Sequence, residues 1–410
     1  MLCSLLLCAQ IARPKKFFIT DYGAVGDSLT INTAAIQKTI DACAANGGGI
    51  VTIPKGVFIT GALFLKQGVD LQVQKDAVLK GSANRADYPQ ISTRWEGTEM
   101  QYMCALINAD GLDGISIDGE GTIDGSGDAW VKLISSKGYI PVSAERRWER
   151  PRLIGIQNCK NVKITNIKLH NQAVWCVHIL YCTEVLLEGL SITADHNIPS
   201  SDGIDIDSSK KVKIRRCYID VNDDCISIKS GKDEDGLRVN RASEDILIEQ
   251  CRFGYGHGGV AMGSETSGGI KNVLVKDCTA EGGNWAPIRF KSQPSRGGVV
   301  ENITYRNFKL DSTRKAVEFN MAWRMVGTVK PPAAVLPLVK NVQLINITGR
   351  VNTVGDIHGL PGSPIQGVLF KNCNIKAQKG LLIEYAKNVD LRGLTLTVKE
   401  GEAVIKKNVE

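Results

Sequence analysis

Three consecutive segments in the middle of the chain decide its fold. They are NCKNVKITNIKL from Asn158, YCTEVLLEGLSI from Tyr181 and SKKVKIRRCYI from Ser209. Apolar and polar residues alternate in each, which is the pattern of a strand with one buried side. Similar segments continue to the end of the chain. Aligning their first buried strand residue gives nine positions: Val162, Val185, Val212, Ile246, Val273, Ile303, Val342, Val368 and Val389.

Successive positions in this series are 21 to 39 residues apart, so the repeated strands are separated by loops of variable length. No unit contains an amphipathic helix, which excludes helical repeats. Propeller blades need longer units of four antiparallel strands, and leucine-rich repeats need a fixed leucine frame. The pattern therefore predicts an all-β fold, a single-stranded right-handed parallel β-helix whose stacked coils bury one continuous core.

The open end of such a β-helix needs a cap, because it would expose core and unpaired backbone. The segment NTAAIQKTIDACAANGGG predicts a helix that begins at Asn32 or Thr33 and ends at the glycines. Ile36, Ile40 and Cys43 form its apolar face. We expect this helix to cover the N-terminal coil.

Residues 1–16 are apolar and then basic, which suggests the end of an export signal or a tail. We expect residues 17–410 to form one β-helical domain of an exported protein, periplasmic or extracellular. The proline-rich stretch VKPPAAVLPLV from Val329 is interpreted as a loop leaving one coil.

Composition excludes several classes of protein. Hydrophobic residues make up 43% and charged residues 23% of the 410 residues, which is ordinary globular usage. No apolar run reaches about 18 residues, so no membrane span is expected. The net charge of +7 would suit a polyanion, but no Lys/Arg cluster points to nucleic acid.

The twelve cysteines show no zinc-binding spacing. Four of them recur in the repeated strands and are interpreted as buried apolar residues, with disulfides left open: Cys217, Cys251, Cys278 and Cys373.

Polar residues also recur at intervals of about one coil. The steps from Asp202 to Asp224, from Asp224 to His257 and from His257 to Arg289 are 22, 33 and 32 residues. Each residue alone has an ordinary explanation, as a turn aspartate or a solvated charge. Together with Asp223 and Lys291, however, they are expected to stack along one face of four coils.

Such a cluster suits cleavage of a glycosidic bond. One carboxylic acid protonates the leaving oxygen while another carboxylate acts from the opposite side. When carboxylates are held close together, their repulsion raises the pKa of one of them, which stays protonated. If the pair is separated by roughly 6.5–9.5 Å, a water fits between and the reaction inverts the anomeric centre. Arg289 and Lys291 offer a site for a sugar carboxylate.

The motifs DDCISIKSG from Asp223, GHGGVAMGSE from Gly256 and IRFK from Ile288 resemble glycoside hydrolase family 28, the polygalacturonases and related pectinases. The resemblance extends from about residue 17 to 390 and implies a pectin-lyase-like β-helix without metal or cofactor. It also implies that Asp223 is the general acid of an inverting reaction. Asp202 and Asp224 would position and activate the water. His257 would support the acid, and Arg289 and Lys291 would grip a galacturonate carboxylate.

The chain departs from the family pattern at Ser200-Ser201-Asp202, where the family has Asn-Thr-Asp, and at Arg289-Phe290-Lys291, where it has Arg-Ile-Lys. These changes leave open which linkage and which neighbouring sugar are accepted. The stretch GHGGVAMGSETSGG is more similar to the exo-acting bacterial members. Four further residues are weaker candidates for substrate contacts, with packing an equal alternative: Trp95, Glu96, Trp175 and His178.

We therefore expect a monomeric exo-galacturonidase acting on homogalacturonan or rhamnogalacturonan fragments, with no metal, no nucleic-acid partner and no membrane span. The loops at 85–110 and 130–150 are expected to decide between exo and endo action. Three alternatives stay open at this point: an endo-polygalacturonase, a calcium-dependent β-helical pectate or polysaccharide lyase, and a non-catalytic pectin-binding β-helix.

Overall fold

The computed structural model describes residues 14–136, 150–324 and 330–410. Its helices are α1 Thr33–Ala45, α2 Gly127–Ser136 and α3 Asp233–Val239, with short 3-10 helices at Ile19–Tyr22 and Arg85–Asp87. The strands are β1 Lys16–Phe18, β2 Asp27–Ile31, β3 Gly49–Ile53, β4 Gly56–Thr60, β5 Leu63–Phe64, β6 Val69–Val73, β7 Ala77–Gly81, β8 Gln90–Trp95, β9 Thr98–Met103, β10 Ile107–Asp110, β11 Asp113–Asp118, β12 Thr122–Asp124, β13 Ile154–Gln157, β14 Lys160–Thr165, β15 Lys168–His170, β16 Val177–Leu180, β17 Thr183–Glu188, β18 Ser191–Thr193, β19 Ile204–Asp207, β20 Lys210–Arg215, β21 Tyr218–Asp220, β22 Asp224–Lys229, β23 Ser243–Glu249, β24 Arg252–Phe253, β25 Gly256–Met262, β26 Ile270–Ala280, β27 Asn284–Lys291, β28 Val299–Asn320, β29 Leu338–His358, β30 Ile365–Lys371, β31 Cys373–Asp390 and β32 Leu394–Val409.

These strands form a right-handed parallel β-helix, as predicted. All of them except β8 and β9 belong to one sheet, and each pairs in parallel with the strand one coil away. The sheet wraps around the core in three faces. One of them, here called the site face, runs through β5, β10, β13, β16, β19, β22, β25 and β27 into the ends of β28, β29 and β31.

The predicted register of the repeats is confirmed residue by residue. Val162 pairs with Val185, and the same column continues through every position of the series to Val389. It also extends one coil towards the N-terminus, to Ile115. The column is buried except at its last member, because alternate residues of each strand point into the core.

Helix α1 caps the N-terminal coil. Its apolar face is the predicted one, and Ile36, Ile40 and Cys43 are fully buried. Asn32 occupies the N-cap, but its side chain bonds to the backbone of Val25 instead of to the helix. The helix thus seals the end of the core through packing.

A β-hairpin formed by β8 and β9 covers part of the site face. Its strands pair antiparallel, with Glu96 and Gly97 at the tip. Arg94 reaches down to Asp207, with 2.7 Å between Nη1 and Oδ1 and both side chains buried. The carbonyl of Gly97 accepts a hydrogen bond of 2.9 Å from Lys232 N. The hairpin therefore lies against the C-terminal ends of β19 and β22, the strands whose starts carry the predicted aspartates.

Two smaller predictions concern the cysteines and the proline-rich loop. Ten cysteines are free and buried in the described residues, including the four assigned to repeated strands. Residues 330–337 form no strand and lie between β28 and β29, as expected of a loop.

None of the helices within the described ranges is long and apolar enough to cross a membrane. The interpretation of residues 1–13 as an export signal or tail, like most of the 130–150 loop, falls outside the described residues.

Candidate active site

Three aspartates converge at the start of two adjacent site-face strands. Asp202 precedes β19, and Asp223 and Asp224 stand at the start of β22 one coil further on. Each offers one carboxylate oxygen, and these oxygens lie within 4.8 Å of one another. Asp202 and Asp224 are buried, whereas the side chain of Asp223 keeps 26% of its surface exposed. Asp223 is thus the member of this triad that a ligand can approach most directly.

The loop before β19 is held tightly against the next coil. A Cβ added to Gly203 would lie only 2.5 Å from the Cys225 carbonyl oxygen, so glycine permits the close approach. Ser201, which departs from the family pattern, is buried and accepts a 3.1 Å hydrogen bond from Asn222 N through its hydroxyl. The serine therefore fixes Asp202 beside Asp223.

His257 lies level with Asp223 on the neighbouring coil, because Asp224 pairs with Gly258. Its Nδ1 is 3.3 Å from Asp223 Oδ1, and its backbone N–H donates to the Asp223 carbonyl at 3.0 Å. The Asp223 hydrogen bond raises the pKa of His257 despite its partial burial. The imidazolium form is thereby favoured next to Asp223.

The two cations join the cluster, but not through simple stacking. Arg289 is in register with Ala261, three residues after the Gly258 that faces Asp224, so the predicted coil-to-coil stack is wrong for this coil. The reach of the long side chains restores the contact. Arg289 Nη1 lies 3.3 Å from Asp224 Oδ1, and Lys291 Nζ contacts Asp224 Oδ2. Phe290 points the other way, into the core, as alternation requires.

Two residues that sequence reasoning missed hold the cations in place. Glu318 Oε2 accepts from Arg289 Nε at 2.6 Å, and its pKa stays low because the cations outweigh burial. The Trp323 ring lies 4.7 Å from the Arg289 guanidinium and 5.6 Å from Lys291 Nζ. Glu318 is one coil from Arg289 and pairs with it in register, a signal that the sequence spacing could have provided.

A second charged group lies under the hairpin tip. Lys229 Nζ is 3.0 Å from Glu265 Oε2 and 3.6 Å from Asp205 Oδ1, with all three side chains buried. Burial raises the pKa of Asp205 to about 8, since Lys229 only partly offsets this effect and the negative charge of Glu265 adds to it. Lys229 and Glu265 both fall within the motifs quoted above, but their pairing depends on the fold.

Asp202 and Asp223 lie too close together to ionise independently. Burial, Asp205 and Asp223 raise the pKa of Asp202 well above its usual range. Burial also acts on Asp223, but the hydrogen bond to His257 and the charge of Lys291 outweigh it and lower the pKa of that carboxyl. The two pKa shifts are therefore opposite in direction, and Asp202 is the carboxyl whose protonated form is favoured.

The four weaker candidates divide into two pairs. Trp95 and Glu96 are partly exposed near the hairpin tip, and Trp95 stacks on Tyr102. Trp175 and His178 are only 4% and 1% exposed and lie beneath the hairpin. Burial lowers the pKa of His178 to about 4, so it is neutral at pH 7. These two act through packing in this structure.

Known protein families and proteins were found that are similar to this chain. The family model described as "Glycosyl hydrolases family 28" matches residues 43–393. The chain belongs to glycosyl hydrolase family 28. This family 28 hydrolase is 30% identical to an exo-poly-alpha-D-galacturonosidase of Dickeya chrysanthemi, over 89% of this chain and 68% of the relative. It is 29% identical to a probable polygalacturonase of Vitis vinifera, over 87% and 73%.

Solved structures show the same fold. An exopolygalacturonase from Thermotoga maritima superposes with a TM-score of 0.78 and 26% identity, covering 96% of this chain and 93% of that one. A family 28 exopolygalacturonase from Yersinia enterocolitica gives 0.86 at 24% identity, covering 97% and 78%. The fold and the hydrolase class predicted from sequence are confirmed, and the lyase and the non-catalytic alternatives are set aside.

Proposed function

We propose that this family 28 hydrolase removes galacturonate units from one end of a pectic chain. The observation that carries the proposal is the meeting of an aspartate triad with Arg289 and Lys291 beside a hairpin. Two cations next to the catalytic carboxylates suit a sugar that itself bears a carboxylate. A pectic substrate lies outside the cell, so we propose that the protein acts there, as a monomer.

The hairpin supports exo over endo action. Its tip at Glu96 and Gly97 packs against Lys232, and Trp175 lies between Trp95 and Lys229, with ring contacts of 4.6 and 4.7 Å. Trp175 precedes β16, one coil N-terminal to Asp202, so its contact with Trp95 covers the site face on that side of the triad. A chain that enters from the C-terminal side would therefore present its end to the aspartates.

Asp223 is proposed as the proton donor, because it is the exposed member of the triad and contacts His257. Asp202 and Asp224 would hold the attacking water. Burial favours the protonated form of Asp202, and His257 favours the ionised form of Asp223. For turnover, a proton must therefore move from Asp202 to Asp223 before Asp223 donates it to the leaving oxygen. Activated leaving groups need no acid. Asp223→Asn should therefore lose much less activity on an aryl galacturonide than on galacturonan. Asp202→Asn should lose activity equally on both substrates.

Inversion of the anomeric centre is proposed from the family resemblance alone. The triad oxygens lie within 4.8 Å of one another, closer than the roughly 6.5–9.5 Å separation that would itself indicate inversion. Proton NMR of the first product formed by the wild-type enzyme decides the point. An initial β-anomer released from the α-linked substrate supports inversion, and an initial α-anomer refutes it.

Product sizing tests the function itself. Octagalacturonate, rhamnogalacturonan oligosaccharides and a xylan control would be digested briefly and resolved by anion-exchange chromatography, with Asp223→Asn as the blank. We expect galacturonate monomer with an octamer shortened by one unit, and no product from xylan. Early products of intermediate length would show endo action, and the absence of products from both pectic substrates would overturn the assignment.

A further inference from the structure

An open recess of about 830 Å³ lies on the C-terminal side of the aspartate triad. We call it the distal recess. Its walls include two aromatic rings, Tyr255 and Trp285, and two arginines, Arg314 and Arg350. Gln378 also lines it.

The distal recess continues the row of coils that carries the catalytic groups. Trp285 belongs to β27, the same strand as Arg289. Arg314 lies on β28 one coil further on, and Arg350 lies on β29 after that. Adjacent coils are about 4.8 Å apart, so the two arginines stand roughly 5 and 10 Å beyond the Arg289 coil along the axis. A pyranose unit is about as long as one coil step, so the recess lies where the next sugars of a bound chain would pass.

Charge distinguishes the recess from the catalytic cluster. Arg289, Lys291 and nearby Lys315 are all engaged by carboxylates of the protein. Arg314 and Arg350 are exposed, and neither has a carboxylate within ion-pair distance among the described residues. Asp311 pairs with Arg350 in the sheet register without forming an ion pair. No Asp or Glu is among the described residues that line the recess.

Arg314 is also oriented. Its guanidinium lies 3.7 Å from the centre of the Trp285 ring, and the indole N–H donates to Glu318 at 3.4 Å. Stacking uses the face of the guanidinium and leaves its N–H edge available for a carboxylate. The ring itself is anchored to Glu318, which holds Arg289, so the recess and the catalytic cluster share one support.

We propose that the distal recess is a binding site for the carboxylates of galacturonate units remote from the bond that is cleaved. The inference rests on the proposed function and extends it to substrate length. An unesterified galacturonan long enough to reach Arg314 and Arg350 is the preferred substrate class. Neutral or methyl-esterified chains gain nothing from these arginines.

The test compares wild type with Arg314→Ala, Arg350→Ala and the double variant on di- and hexagalacturonate. An exposed ion pair contributes up to about fivefold in binding, so the double variant should raise KM for the hexamer by roughly 20-fold. The increase in KM for the hexamer should exceed the increase for the dimer by about this factor. The increase should be smaller in high salt and absent with methyl-esterified hexamer.

Arg306→Ala is the matched control, since it removes an exposed arginine from the same strand β28 outside the recess. It should behave as wild type. If the double variant raised KM equally for dimer and hexamer, or did not raise it for the hexamer, the proposal would be overturned. If wild type cleaves no galacturonan, the proposed function fails, and calorimetry of hexagalacturonate binding to wild type and the double variant still decides on the recess. Equal binding by the two would refute it.

Discussion

At the scale of single residues, the sequence predicted the charged groups that meet in the structure but not the groups that hold them. The triad, His257 and both cations meet as expected, because each lies in a short motif on consecutive coils. Glu318 was missed although its spacing of one coil from Arg289 was readable, and Trp323 was missed because it lies in the loop after β28, where no strand register places it. The opposite pKa shifts of Asp202 and Asp223 were also beyond prediction, because they depend on burial and on distances of a few ångströms.

The raised pKa of His257 predicts the alkaline limb of activity. Its pairing with Asp223 is fully present below the unfolded value of about 6.5 and is lost as pH rises through the folded pKa. We expect kcat/KM to fall over that window. His257→Gln should lower activity and abolish this limb, measured as a pH profile of kcat/KM.

His358→Gln serves as the control, because His358 also pairs with a carboxylate, at 3.0 Å from Glu384, but does not touch the triad. Its profile should match that of wild type. An unchanged alkaline limb in His257→Gln would show that another group titrates there.

At the scale of elements, the strands were predicted well and the hairpin was not. Strands β14 to β31 follow from alternation and turn residues, which are local signals. Strands β8 and β9 carry no repeat, and their position is set by the buried ion pair between Arg94 and Asp207, 113 residues apart. Long-range polar contacts of this kind leave no pattern in a single sequence.

The hairpin tip gives a prediction about exo action. Gly97 has φ +79°, and a Cβ there would lie 2.4 Å from the Lys232 Cβ. Gly97→Ala should lift the tip and increase the share of internal cleavage of octagalacturonate, measured by product sizing. Gly111→Ala is the control, because Gly111 has φ +68° but open space around its Cβ position. Identical product patterns in the two variants would mean that the tip does not restrict the groove.

Turns between the strands contain a second element, a ladder of asparagines in the left-handed conformation. Asn302 has φ +59° and bonds through its amide to Asn272 at 3.2 Å and to Asn341 at 3.3 Å. Asn302→Ala would lose both bonds and strain the turn, lowering the free energy of unfolding by about 1–3 kcal/mol. Urea unfolding measures this loss. Stability equal to that of wild type would show that the ladder contributes nothing.

At the scale of the whole molecule, the described cysteines all lie in the core and are buried. All ten described cysteines are free, and the other two, Cys3 and Cys8, lie outside the described residues. We expect at most two thiols to react with a colorimetric thiol reagent before unfolding, and twelve in guanidinium. Fewer than twelve after unfolding without reductant would reveal disulfides.

The column from Val162 to Val389 keeps its pairing although its members are separated by anything from 21 to 39 residues. Additional residues are accommodated in the loops between strands, and the pairing register of the strands does not change. The loops around the site face can therefore become longer or shorter during evolution without disturbing the β-helix. Such changes would alter which pectin fragments can enter.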